Sequence, residues 1–296
     1  LPLCSFLISI FQSYLSFINY TNKFDAMSMS RVLNAISCVV LQFLLVVVFG
    51  FKDGIFLGLI FGYIISIIFL FYKVPQGKLE IRWARLYSIA RKYRGYPIYI
   101  LPGSVVNFLS GNFVVYTISF IFGPSLAGLY GLAVRIAGAP TAMIARSISE
   151  VYKSKAMYLY QRDGHFKELF LNVTALTTFV ALVGFGLLYF ISKMLVLNFF
   201  GTEWLLSVDF IKYLIPMFIL QFVTTSVGYS LMISNKQQAD FKWQLFRLLL
   251  VICAFLISYF NDYSVDGYVI SFSLSLSLSF LVYLYICYRS SLPLKA

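Results

Sequence analysis

The sequence predicts an all-α polytopic membrane protein with nine transmembrane helices. Three observations carry that prediction. Six stretches near the ~20 residues that a bilayer-crossing helix needs contain no charged residue. None of them alternates with the period of a barrel strand, and only helices or closed barrels satisfy their backbone groups in lipid. Basic residues also gather in every second connection, the asymmetry that orients a multi-pass chain.

Taken in order, Leu1–Tyr20, Val32–Phe51 and Gly54–Tyr72 predict spans one to three. Gly95–Val134 is uncharged throughout, long enough for span four, a tight turn at Gly123-Pro124 and the start of span five. Leu169–Ser192, Tyr213–Asn235 and Gly267–Tyr288 predict spans six, seven and nine. Span eight is shorter, from about Trp243 to Asn261. Cys4, Cys38, Cys253 and Cys287 are isolated in apolar segments, without disulfide or metal-site spacing.

The 23 Lys and Arg residues are unevenly spread. Lys23 and Arg31 open the basic set, followed by the run from Lys73 to Arg94. Arg146, Lys153, Lys155, Arg162 and Lys167 come next, then Lys236, Lys242 and Arg247, and finally Arg289 and Lys295. The other connections hold only Lys52, Lys193 and Lys212, set against Asp53, Glu203, Asp209, Asp262 and Asp266. The basic side and the C-terminus are therefore expected in the cytoplasm. The net charge of +12 then reflects topology and anionic membrane lipids, not nucleic acid.

An internal repeat predicts the domain plan. Asn22-Lys23, Arg31, Gly54 and Lys73 recur as Asn235-Lys236, Arg247, Gly267 and Arg289, at offsets of 213 or 216 residues. Both copies carry an acid before the glycine, Asp53-Gly54 and Asp266-Gly267. A parallel repeat of this kind predicts that roughly 120 residues and three spans precede Leu1 in a twelve-helix, two-lobe protein. On that plan residues 1–73 are the second half of an N-terminal lobe. Residues 74–96 form an amphipathic cytoplasmic linker, with Lys78, Arg82, Arg85 and Lys92 beside an apolar face. Residues 97–296 form a six-helix C-terminal lobe.

Within the spans, Arg135 stands out. Nine residues beyond Leu126 it lies roughly 14 Å deep, near the midplane. An intramembrane Arg faces a water-filled cavity or a partner, and no acid lies one turn away on its helix. Gly128, Gly131, Gly138 and Ala139 around it predict close helix approach. Pro140 predicts a kink. Arg146 and Glu150, four apart, predict an ion pair or a gate at the cavity mouth. Asn107 and Asn112 in span four are candidates for lining the same cavity, or for joining helices.

Residues 121–152 include Gly-Leu-Tyr-Gly-Leu-Ala-Val-Arg-Ile and Pro140, and later come Phe200-Gly201-Thr202-Glu203-Trp204 and Leu214-Ile215-Pro216. Gly128, Tyr130, Ala133, Phe200, Gly201, Trp204 and Pro216 hold these motifs together. The chain resembles the polysaccharide-transport (O-antigen) flippases of the multidrug/oligosaccharidyl-lipid/polysaccharide exporter superfamily, with the first three spans absent. The resemblance implies alternating-access translocation of polyprenyl-diphosphate-linked oligosaccharide across the bacterial inner membrane, for lipopolysaccharide or another surface polysaccharide. It implies Arg135 as a diphosphate ligand, no cofactor, coupling to an H+ or Na+ gradient, and a glycan polymerase as a partner. A drug/cation antiporter of the same superfamily is the near alternative, although the spans carry no acid at mid-depth. A membrane-embedded polymerase or acyltransferase needs catalytic acids, His or a large external loop, and this chain has none in the right place. A non-transporting subunit is the third class.

Overall fold

The computed structural model describes residues 2–20, 24–51, 53–73, 87–89, 91, 93 and 96–293. Most of the predicted amphipathic linker over 74–96, and the Asn22-Lys23 marker, lie outside the described residues. The chain divides into two compact units, Leu1–Leu86 and Tyr87–Ala296. Among the described residues there is no strand. Eight helical stretches are long and apolar enough to cross a bilayer, and the apolar run Pro2–Ile18 is a shorter ninth.

The first unit holds α1 (Pro2–Tyr20), α2 (Phe24–Phe43), a π-helical turn (Leu44–Val48) and α3 (Gly54–Lys73). Lipid tails are as apolar as Leu, so small residues that bring backbones close do the joining. The buried face of α3 is Gly54, Gly58, Gly62, Ser66 and Leu70, one residue per turn. Cβ atoms placed on Gly58 and Gly62 would lie 2.6 Å from the Gln42 nitrogen and 2.9 Å from the Cys38 Cα, both on the α2 stretch. Asn34 Nδ2 donates to Ser66 Oγ across the same seam (3.2 Å). Phe11, Leu15, Ile18, Met27 and Leu70 form the small core beside it.

The second unit begins with a π-helical turn (Tyr96–Ile100) that leads into α4 (Leu101–Ile121). Gly123, at φ 96°, makes the sharp turn predicted at Gly123-Pro124, and Pro124 opens α5 (Pro124–Asp163). Its 40 residues span roughly 60 Å, twice the hydrocarbon thickness. Gly164, at φ 73°, ends it, and α5 stays helical through Pro140. α6 (Lys167–Phe199) and a short 3-10 turn (Thr202–Trp204) lead to α7 (Leu206–Ser226). α7 stops at Val227, and the chain resumes as the short α8 (Ser230–Ile233). The run predicted as one span over Tyr213–Asn235 is therefore broken at Gly228. α9 (Gln237–Phe260) and α10 (Val265–Ser291) complete the unit.

Arg31 and Arg247, which match in the predicted repeat, lie inside helices, α2 and α9, that begin at Phe24 and Gln237. An apolar run reports the lipid-matched part of a helix, and a helix extends beyond it through polar residues.

α7 sits centrally, packed on α5, α6 and α10. Polar side chains tie it in: Ser207 Oγ donates to the Leu129 carbonyl (2.9 Å). Tyr152 and Ser230 share a hydrogen bond of 2.7 Å between α5 and α8. The outer surface is apolar, with Phe120 and Phe190 more than four-fifths exposed, as a lipid-facing surface requires.

Candidate functional site: a basic, aromatic-walled cavity

α4, α5, α7, the break at Gly228, α9 and α10 line an open cavity of about 540 Å³ within the second unit. Its polar lining comprises Asn107 and Asn112 from α4, Arg146 and Ser149 from α5, Gln221, Thr224 and Thr225 from α7, and Arg247 from α9. Tyr229, Trp243, Phe280 and Tyr283 supply aromatic walls. Among the described residues, no carboxylate lines it.

Arg247 is the centre of this arrangement. It lies ten residues into α9, and its side chain is buried. Its guanidinium carbon is 5.9 Å from the Trp243 ring centroid and 5.3 Å from that of Phe280. Such faces favour a cation. Nη1 donates to Asn107 Oδ1 on α4. Nε is buried and has no hydrogen-bond partner.

The walls are themselves braced. The Trp243 and Tyr283 rings lie 4.1 Å apart, and Trp243 Nε1 donates to the Ser279 carbonyl at 2.9 Å. Tyr283 Oη donates to the Gly228 carbonyl (3.0 Å), satisfying one of the carbonyls that the interrupted helix leaves without an intrahelical donor. Lys153 Nζ sits 4.6 Å over the Tyr229 ring and adds a third cation beside the cavity. A broken helix next to a polar cavity is a recurrent way of building a transporter site.

The structure brings together three of the predicted site residues: Asn107, Asn112 and Arg146 line one cavity. Asn112 also donates to the Phe108 carbonyl (2.8 Å). Arg146, predicted to pair with Glu150 or to gate the cavity mouth, is exposed and lines the cavity. Arg135 does not line this cavity. It is exposed and makes no hydrogen bond or ion pair with any described residue. It shares a face with Arg146, because 11 residues turn a helix by only about 20° beyond three full turns, and it stands roughly 16 Å away along α5. Pro140 is exposed on the same helix.

Close approach is seen at only one of the predicted glycines. A Cβ on Gly138 would lie 3.1 Å from Phe218, whereas Gly128 and Gly131 have nothing within 4 Å. The other motif residues hold the fold. Tyr130 and Ala133 are buried, with Tyr130 edge-on to Phe210. Gly201 adopts φ 92° and places Phe200 on Trp204. Pro216 lies inside α7.

Sequence reasoning missed Arg247, which it counted among the loop cations. The signal was present: starting the helix at Gln237 puts Arg247 about 15 Å along it. It also missed the aromatic wall and the break at Gly228.

The sequence model of the family described as "Polysaccharide biosynthesis protein" matches residues 2–209. The chain belongs to this family. Among curated proteins, it is similar to "Lipopolysaccharide biosynthesis protein WzxC" of Escherichia coli (strain K12). The two are 28% identical over 177 residues, which cover 58% of this chain and 35% of the relative. The chain thus spans about a third of the length of the curated relative it matches. No solved structure matches the chain. The family match covers α1 to the start of α7, so the family motif around Arg135 falls inside it, whereas Arg247 falls outside.

Proposed function

We propose that this chain is part of a flippase that translocates polyprenyl-diphosphate-linked oligosaccharide across a bacterial inner membrane, with its basic connections and C-terminus in the cytoplasm. The carrying observation is the cavity lining: two guanidiniums, three amide side chains, hydroxyls and aromatic rings, and no carboxylate. The amides and hydroxyls suit sugar hydroxyls, the aromatic faces suit sugar C–H surfaces, and the guanidiniums suit a diphosphate in forked geometry. The family match and the lipopolysaccharide-related relative support the same substrate class.

Arg135 extends the basic face of α5 by three turns beyond Arg146. In this reading it is a second contact for the diphosphate as the head group moves along the helix, while the polyprenyl tail stays in lipid. Alternating access exposes the cavity first to one side and then to the other.

The antiporter alternative fares worse on electrostatics. A cation about 4 Å from a guanidinium is repelled by roughly 4 kcal/mol at an effective dielectric of ~20, and a phosphate is attracted by as much. Two such groups line the cavity, and no lining acid offsets them.

The test is glycan export by the intact protein in a strain lacking it. Arg135→Ala is expected to impair export at unchanged membrane abundance, and Arg135→Lys to restore it in part, because Lys keeps the charge and loses the planar fork. Normal export by Arg135→Ala removes Arg135 from the substrate path.

A further inference from the structure

We propose that Arg247 is the anion ligand of the cavity, and that a phosphate-type group binds it in the place now held by the Asn107 side-chain oxygen. The site itself stands on geometry; only the source of the phosphate, a lipid-linked diphosphate, rests on the function proposed above.

Arg247 is 9% exposed, yet the acceptor it holds is a neutral amide and its Nε has none. Burial of a cation without a counter-charge is unfavourable, and among the described residues the cavity lining offers no carboxylate to relieve it. An anionic ligand supplies both the missing charge and the missing acceptor. The Trp243 and Phe280 rings lie beside the guanidinium, whose planar donor set suits a forked, two-bond contact with an anion. Arg146 lines the same cavity from α5, which provides a second donor. A cavity of about 540 Å³ holds a diphosphate with room for an attached sugar. The Asn107 oxygen is a stand-in: binding exchanges the α4–α9 hydrogen bond for bonds to the ligand.

The experiment uses the purified chain in nanodiscs of zwitterionic phosphatidylcholine, which contributes no competing net charge. Pyrophosphate is titrated in one arm and a short-chain polyprenyl diphosphate in the other, read by calorimetry and by the fluorescence of Trp243 beside the guanidinium. Saturable binding is expected in the wild type. Arg247→Gln is expected to weaken it at least tenfold. Asn107→Asp is expected to weaken it as much, with Arg247 intact, because a built-in carboxylate neutralises the guanidinium. The second variant decides the matter if the first does not fold. Absence of saturable binding in the wild type, or wild-type affinity in both folded variants, overturns the proposal. Binding of pyrophosphate with no preference for the polyprenyl form upholds the site and counts against the flippase reading.

Discussion

Arg247 on α9 donates a hydrogen bond to Asn107 on α4, 140 positions earlier in the chain. The bond ties together two helices that are otherwise joined mainly by apolar contact, and it does so at the cavity wall. A charged donor facing a neutral acceptor in a buried place is a poor way to gain stability. Replacing buried ionic groups by apolar side chains of similar size is often neutral or stabilising.

Arg247→Met is therefore expected to hold or raise the thermal midpoint in detergent while abolishing export. Asn107 is itself exposed, so water satisfies its freed oxygen. A fall in midpoint beyond about 5 °C, the scale of a loss near ~2 kcal/mol, would mean that Arg247 serves the fold instead of the cavity.

Glycines of the two units should respond in opposite ways. Gly62→Ala puts a methyl group 2.9 Å from the Cys38 Cα, and overpacking of this kind costs about 1–3 kcal/mol. Gly128→Ala meets nothing within 4 Å and should leave stability unchanged. Protease resistance of each variant in detergent checks the contrast; equal resistance would mean that the α2–α3 seam is not close-packed.

Topology is open to direct test. The split of basic residues predicts Arg162 and Arg289 on the cytoplasmic side. In a background with the four native cysteines (Cys4, Cys38, Cys253 and Cys287) removed, Arg162→Cys should react with a membrane-impermeant thiol reagent only after the cells are opened. Labelling of intact cells at that position reverses the orientation and the direction of transport.

Much of the fold was legible because lipid imposes its own arithmetic. A helix must carry about 20 apolar residues, and a charge within them is conspicuous. Asn107, Asn112 and Arg135 were visible for that reason, as polar residues inside apolar runs. Helix ends were not visible, because lipid says nothing about a helix once it leaves the membrane. That error hid Arg247: counted among the Lys236 and Lys242 loop charges, it lay inside α9. The break at Gly228 was hidden by the opposite fault. A glycine among Thr, Val and Tyr does not interrupt an apolar run, and the tertiary bonds from Tyr283 and Tyr152 brace the interruption. The partner of a long helix face is equally illegible, since Arg146 had an acid one turn away and yet faces the cavity.

The central claim is that the cavity's cations handle an anionic glycan carrier, and Arg146 offers the cleanest measurement. It lines the cavity but makes no hydrogen bond or ion pair with a described residue, so its loss breaks no bond of the fold. Surface appearance of lipid-linked glycan is measured in a strain lacking the protein and supplied with the intact protein carrying Arg146→Gln or Arg146→Lys. At equal membrane abundance, Arg146→Gln is expected to lower the export rate about tenfold, the effect of losing ~1.4 kcal/mol of head-group binding, with partial recovery in Arg146→Lys. Wild-type export by Arg146→Gln would contradict the account.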